Sequence, residues 1–215
     1  MKEPFRLKIL FAAFIALMIG MNLLGGKITT IFDASVSVAI FMVPLTFLIT
    51  DIVAEVYGKK TATDFVLTGV IALVIIFGFT ALSVALPPNA RYTHDEEYKI
   101  IFGGSLRIII ASIVAFAISQ YHDVWAFHFW KEKTKGRHLW MRNNFSTIVS
   151  QAIDTIIFLF LAFYQVSPQY DLAFVLSLFW PFYVFKLVFA LLDTPFVYLG
   201  VAWLKKGQPQ ETVQQ

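Results

Sequence analysis

Stretches of about twenty residues with almost no charge recur along this chain, and nothing constrains its fold more. A hydrocarbon core of about 30 Å takes roughly 20 helical residues to cross. Inside it every backbone N–H and C=O must be satisfied without water, which a helix does within its own segment. Only 14% of the 215 residues are charged and 58% are hydrophobic, whereas soluble domains carry about 25% charge. The chain therefore reads as an all-α integral membrane protein. A bundle of six transmembrane helices forms one domain over residues 1–204, and the polar tail 205–215 is expected to be disordered. The spans are placed at Leu7–Leu24, Val36–Tyr57, Asp64–Leu86, Gly104–His122, Asn144–Tyr164 and Leu172–Leu204. The basic start and apolar run of Met1–Leu24 resemble a signal peptide, but the small-residue cleavage pattern is weak, so this segment is read as a span that stays.

Basic residues set the orientation. Lys2, Arg6 and Lys8, then Lys59 and Lys60, then Lys131, Lys133, Lys135, Arg137 and Arg142, and finally Lys205 and Lys206 fall on one side; Lys27, Arg91 and Lys99 fall on the other. The positive-inside rule then places both termini in the cytoplasm, as an even number of spans requires. The last span is longer than a crossing needs and holds Pro181, Lys186, Asp193 and Pro195, so a tilted, kinked or locally unwound helix is expected. Ala111, Ala115 and Ser119 recur every four residues and give the fourth helix a smooth packing face. A 3+3 inverted repeat would suit a transporter. "TFLITD" and "STIVSQAIDT" share a Thr/Ser plus Asp pattern that is too short to establish one.

The informative side chains are those that do not belong in lipid. An ionisable group at mid-depth costs at least about 2.5 kcal/mol, so it faces a partner or a wet path. Asp51, Glu55, Asp123, Asp154 and Asp193 stand in or at the ends of spans with Arg107 and Lys186, a surplus of carboxylates that a substrate could meet. Along the fifth helix Asn143, Ser146 or Thr147, Ser150 or Gln151, and Asp154 fall three or four residues apart, one polar stripe of the kind that lines a cavity or bonds helix to helix. Ser119, Gln120 and Asp123 end the fourth span, where Asp123 could equally anchor the interface. In "LITDIVAEVYGKK", Glu55 and Lys59 form an i,i+4 pair at the wet end. Asp51 lies one turn deeper and is expected to pair with Arg107 or Lys186.

Other chemistries find little support. The chain has no cysteine, and its four histidines, His94, His122, His128 and His138, show neither the HExxH spacing of zinc enzymes nor enough members for a di-iron box. No GxSxG nucleophile elbow and no channel filter loop is present. No enzyme activity, cofactor, metal or nucleic-acid partner is expected; the bilayer and a small molecule are the expected partners, with a homodimer left open.

Four blocks carry a family resemblance: "PLTFLITDIVAEVYGKKTA", "RIIIASIVAFAISQYHDVWAF", "RNNFSTIVSQAIDTIIFLFLAF" and "YVFKLVFALLDTPFVYLGV". Together they resemble the VUT (YhhQ-like) family of queuosine-precursor transporters, from about Met21 to Leu204. The resemblance implies a bacterial inner-membrane importer of the 7-deazaguanine bases preQ0 and preQ1, which feed the tRNA modification queuosine. Such a base presents N1–H and an exocyclic amine that a carboxylate accepts in two parallel hydrogen bonds, and flat faces that want aromatic walls. Asp154 is the first choice for that edge, with Asn143, Asn144 and Gln151 reading the rest and Asp51 the runner-up. Arg107 and Lys186 are expected to orient the carboxylates, and the mechanism to be secondary or facilitated. The alternative is a substrate-capture subunit of an energy-coupling vitamin importer, which would need an ATPase partner.

Overall fold

The computed structural model describes residues 5–133, 139–192 and 194–206. Helix α1 (Phe5–Leu24) leads into a hairpin of β1 (Ile28–Ile31) and β2 (Ala34–Ser37), and a short 3-10 turn, Val38–Phe41, follows. Then come α2 (Val43–Ala85), α3 (Asp95–Lys133), α4 (Leu139–Phe163), α5 (Leu172–Leu192) and α6 (Thr194–Lys205). The protein is thus a helical membrane protein. Among the described residues five helical stretches are long and apolar enough to cross a bilayer, and α4 adds a shorter apolar stretch, Ile148–Phe163.

Helix α2 holds two of those stretches, Val38–Gly58 with the preceding turn and Lys60–Ala85. An unbroken helix would separate Thr46 from Leu73 by about 40 Å, yet both line one cavity. The chain turns back at Gly58, with φ 84° and ψ 166°, a region essentially reserved for glycine. The loop expected between the second and third spans is therefore one residue's backbone conformation. At the far end Leu86 is extended before Pro87, because proline disfavours a helical predecessor. The next helix starts on Asp95, Glu96 and Glu97, whose charge suits the positive end of the α3 dipole.

Two expected boundaries are corrected. The second span was placed from Val36, but Ala34–Ser37 pairs antiparallel with β1 across a turn at Phe32 and Asp33, both at positive φ. This left-handed pair matches the twist of a two-residue hairpin. Ser37 is fully buried, donating to the Gly25 carbonyl at 2.6 Å and accepting from the Ala39 N–H. The last span, read as Leu172–Leu204, is two helices. Pro181 stays inside α5, but Pro195, second in α6, lacks an N–H and suits only a helix start. Helix α6 instead packs on α2, where Gly200 lies so close to the Ile52 side chain that an added Cβ would overlap it.

Two apolar clusters organise the bundle. Leu7 and Phe14 of α1 pack with Ile49, Val53 and Phe65 from both arms of α2. Ile108 and Ala111 of α3, Leu159 and Phe163 of α4, and Val175, Leu178 and Phe182 of α5 form the other, to which the hairpin adds Val36. The expected small-residue face holds: Ala111, Ala115 and Ser119 are all buried.

Gly58→Ala is expected to lower the melting temperature in detergent, costing about 1–3 kcal/mol of strain, although no atom lies within 4 Å of the added Cβ. Gly78→Ala, on a helix with equally open space, is the control and should be neutral or slightly stabilising.

Candidate functional site

Between the two clusters lies a cavity of about 320 Å³ that every one of helices α1 to α5 helps to line. This is the size range of small-molecule sites. It begins beneath the hairpin, at Met21, Ala39 and Val43, and ends on Asp154 and Lys186. Phe14, Phe47, Phe116, Phe158 and Phe182 form its walls. A depression of about 420 Å³ over the loop from Tyr164 to Leu172 is shallow and built from that one loop, so it offers no converging chemistry.

The floor is an ion pair. Lys186 Nζ donates to Asp154 Oδ2 at 2.8 Å, and the two side chains are 12% and 24% exposed. Two lone charges could not be held at this depth; a pair with its remaining hydrogen bonds made can be. Lys186 also donates to Thr155 Oγ1 at 3.2 Å, and Thr155, buried, donates to the Gln151 carbonyl. Ser119 of α3 donates to the other Asp154 oxygen at 3.3 Å. The carboxylate is thus fixed from α3, α4 and α5, with lone pairs to spare, since each oxygen can accept twice. Gln151 Oε1 is buried with no partner among the described residues. A buried acceptor in that state costs about 1–3 kcal/mol, which a donor on a ligand would recover.

Thr46 and Thr50 also line the cavity, but their hydroxyls donate to carbonyls of their own helix. Asn22, buried beside it, accepts from Ser112 at 2.7 Å and donates to the Met18 carbonyl. One turn beyond the floor, His122 Nδ1 lies 3.0 Å from Ser150 Oγ. Among the described residues no three of His, Asp and Glu converge as metal ligands.

Of the residues singled out in the sequence, Asp154, Gln151 and Lys186 meet here, with Lys186 paired to the Asp154 carboxylate. Ser150 is buried against His122 and stands behind the lining. The side chains of Gln120, Asp123, Asn143, Asn144, Thr147 and Lys59, and all of Asp193, lie outside the described residues. Asp51 and Glu55 are exposed, and it is Thr50 that faces the cavity. Lys186, one of the two cations expected to partner Asp51, pairs instead with Asp154 across the α4–α5 contact. Arg107 is a second correction: instead of a carboxylate it holds the carbonyls of Leu161 and Tyr164, at 2.6 and 2.5 Å. These belong to the end of α4, where carbonyls lack helical partners and the dipole welcomes a cation. The phenylalanine walls and Thr155 had no marker in the sequence beyond helical spacing from the polar stripe.

Residues 37–200 match the family described as "Putative vitamin uptake transporter". A protein of Bacillus subtilis (strain 168) named "Probable queuosine precursor transporter" is 29% identical over 178 residues, covering 82% of this chain and 76% of its own length. No solved structure gives a significant match. With the family match running through both arms of α2, the Asp154 floor and most of α6, the chain belongs to this family of membrane transporters.

Proposed function

We propose that the chain imports 7-deazaguanine queuosine precursors, preQ0 and preQ1, through the phenylalanine-walled cavity, working alone as a secondary or facilitated transporter. The observation that carries this is the Asp154 carboxylate, held by Lys186 and Ser119 at the cavity floor. N1–H and the exocyclic amine of the base donate to its two oxygens, a charge-assisted pair that a guanine-like edge offers. Gln151 Oε1 accepts a further donor, and the phenylalanines cover the ring faces. Asn143 and Asn144, expected to read the carbonyl and ring nitrogen, lie about 15–16 Å from Asp154 along α4, too far to share the same base, and are left out of this reading. The name of the Bacillus relative supports the substrate class.

The same reading takes six spans in a bacterial inner membrane with both termini cytoplasmic. Arg6 donates to the Trp203 carbonyl and its guanidinium lies over the Trp203 ring, a contact that supports one shared side for the two ends of the chain. Reporter fusions after Lys60, Gly136 and Lys206 should all read cytoplasmic; a periplasmic signal at any of them overturns this topology.

Asp154→Asn is expected to weaken preQ0 binding by about 100-fold, the worth of two charge-assisted bonds at about 1.5 kcal/mol each. It also leaves Lys186 buried without its counter-charge, so a loss of stability is expected with it. The double variant Asp154→Asn/Lys186→Met should regain melting temperature without regaining binding. Normal affinity in either variant removes Asp154 from the site. Uptake by proteoliposomes holding the purified protein and no ATPase separates this mechanism from a capture subunit, which would bind base and move none.

A further inference from the structure

Two serines of α3, Ser112 and Ser119, line the cavity at different depths. They are i,i+7, so they share one face of the helix about 10.5 Å apart along its axis. Ser119 reaches the Asp154 carboxylate at the floor, at 3.3 Å. Ser112 lies toward the hairpin end, where Ser105, seven residues earlier, donates to the Leu23 carbonyl. There the Ser112 hydroxyl meets Asn22 Oδ1 of α1 at 2.7 Å. The cavity thus carries a polar group at each end of one stripe, with phenylalanine between.

The sense of the Ser112 bond follows from its neighbours. Asn22 is 1% exposed, and its amide nitrogen donates to the Met18 carbonyl at 2.8 Å. A carbonyl only accepts, so the amide is held one way round and turns its oxygen to Ser112, which must then donate. What Ser112 leaves toward the cavity is lone pairs. The other hydroxyls that line it, among the described residues, are committed in the same way. Thr46 and Thr50 donate to carbonyls of α2, Thr155 to the Gln151 carbonyl, and Ser119 to Asp154 or the Phe116 carbonyl. Above the floor of Gln151, Asp154 and Lys186, the polar atoms of the wall therefore accept and do not donate.

We infer that Ser112 is a second reading point for the base, accepting from N9–H while Asp154 accepts from N1–H and the exocyclic amine, with Asn22 as the positioning residue that keeps the Ser112 hydrogen out of the cavity. The inference rests on the substrate reading above and adds what the site excludes. N1 and N9 lie about 4 Å apart across the fused rings, and a hydrogen bond of about 2.9 Å at each end brings the span to about 9–10 Å. That matches the rise of about 10.5 Å between the two serines. The carbonyl beside N1 meets Lys186, which has three N–H groups and spends two on Asp154 and Thr155. With carbon at ring position 7, the ring hydrogen has no second nitrogen to move to and stays on N9. A 7-deazaguanine base therefore always offers a donor where the wall accepts. A riboside has no hydrogen on N9 and carries its sugar where Ser112 stands, so the cavity takes free bases and rejects their nucleosides.

The test is equilibrium binding to the purified full chain in detergent, comparing preQ0 with its furan analogue, in which a ring oxygen replaces N9–H. The two ligands differ at that atom alone: one donates to Ser112, the other sets lone pairs against lone pairs. Wild type should bind preQ0 at least about tenfold more tightly, the worth of one neutral hydrogen bond and an opposed acceptor. Ser112→Ala should bring that ratio within about twofold, chiefly by weakening preQ0. Asn22→Leu frees the Ser112 hydroxyl to turn its hydrogen inward and donate to the furan oxygen, so the ratio should fall there too, with the furan analogue gaining. The N9 riboside of preQ0 should not displace preQ0 from wild type. Equal wild-type affinity for the two ligands, displacement by the riboside as effective as by preQ0, or an unchanged ratio in Ser112→Ala overturns the assignment and leaves the import reading standing. Parallel weakening of both ligands in Asn22→Leu overturns the positioning role of Asn22. Should the variants fail to fold, the wild-type ratio alone decides; a wild type that binds no deazaguanine base overturns the substrate reading and this inference with it.

Discussion

A carboxylate held inside a membrane needs a cation, and the Asp154–Lys186 pair at 2.8 Å is where this bundle meets that need. Neither charge could be kept at that depth alone. Together they tie α4 to α5, and through Ser119 and Thr155 they fix the carboxylate in one orientation. A surface ion pair would contribute about 0–1 kcal/mol and be free to wander. Here Ser119, Thr155 and Lys186 hold the carboxylate in place, and in the proposed function such an oriented acceptor costs a ligand little reorganisation.

The rest of the architecture places that pair at the bottom of a cavity. One apolar cluster joins α1 to both arms of α2, the other joins α3, α4 and α5 with the hairpin. The cavity is the space the two leave between them, with Phe14 belonging to one and Phe182 to the other. Gly58 permits this by reversing α2 within a single residue. Its hairpin-like fold lets Thr46 and Thr50 on one arm and Val66 and Val70 on the other face the same space.

Much of this was legible in the sequence because lipid leaves so few options. Helical spans, the long last segment with its internal break, the small-residue face of α3, and Asp154 with Gln151 on one stripe all follow from spacing and from the cost of charge in hydrocarbon. What was not legible depends on tertiary geometry. The strands Ile28–Ile31 and Ala34–Ser37 are too short for alternation to stand out, and their turn uses Phe32 and Asp33 where Asn-Gly would have announced it. Arg107 reads as a carboxylate's partner in the sequence because charge count alone cannot see that a helix end offers carbonyls instead. The sequence points to Asp51 as the partner of Arg107 or Lys186 and to Asp154 as the reader of the base, and only the meeting of α4 with α5 shows that Lys186 pairs with Asp154. The five phenylalanines of the wall were five among the chain's 23, indistinguishable from those that face lipid.

The central claim is that Asp154 receives the hydrogen-bonding edge of a deazaguanine at the cavity floor. The most direct measurement is an experimental structure of the protein with preQ0 bound. N1 and the exocyclic nitrogen should each lie about 2.7–2.9 Å from a different Asp154 oxygen, with the ring covered by phenylalanine. A base bound elsewhere, or bound in the cavity with Asp154 still engaged only by Lys186 and Ser119, would contradict the account.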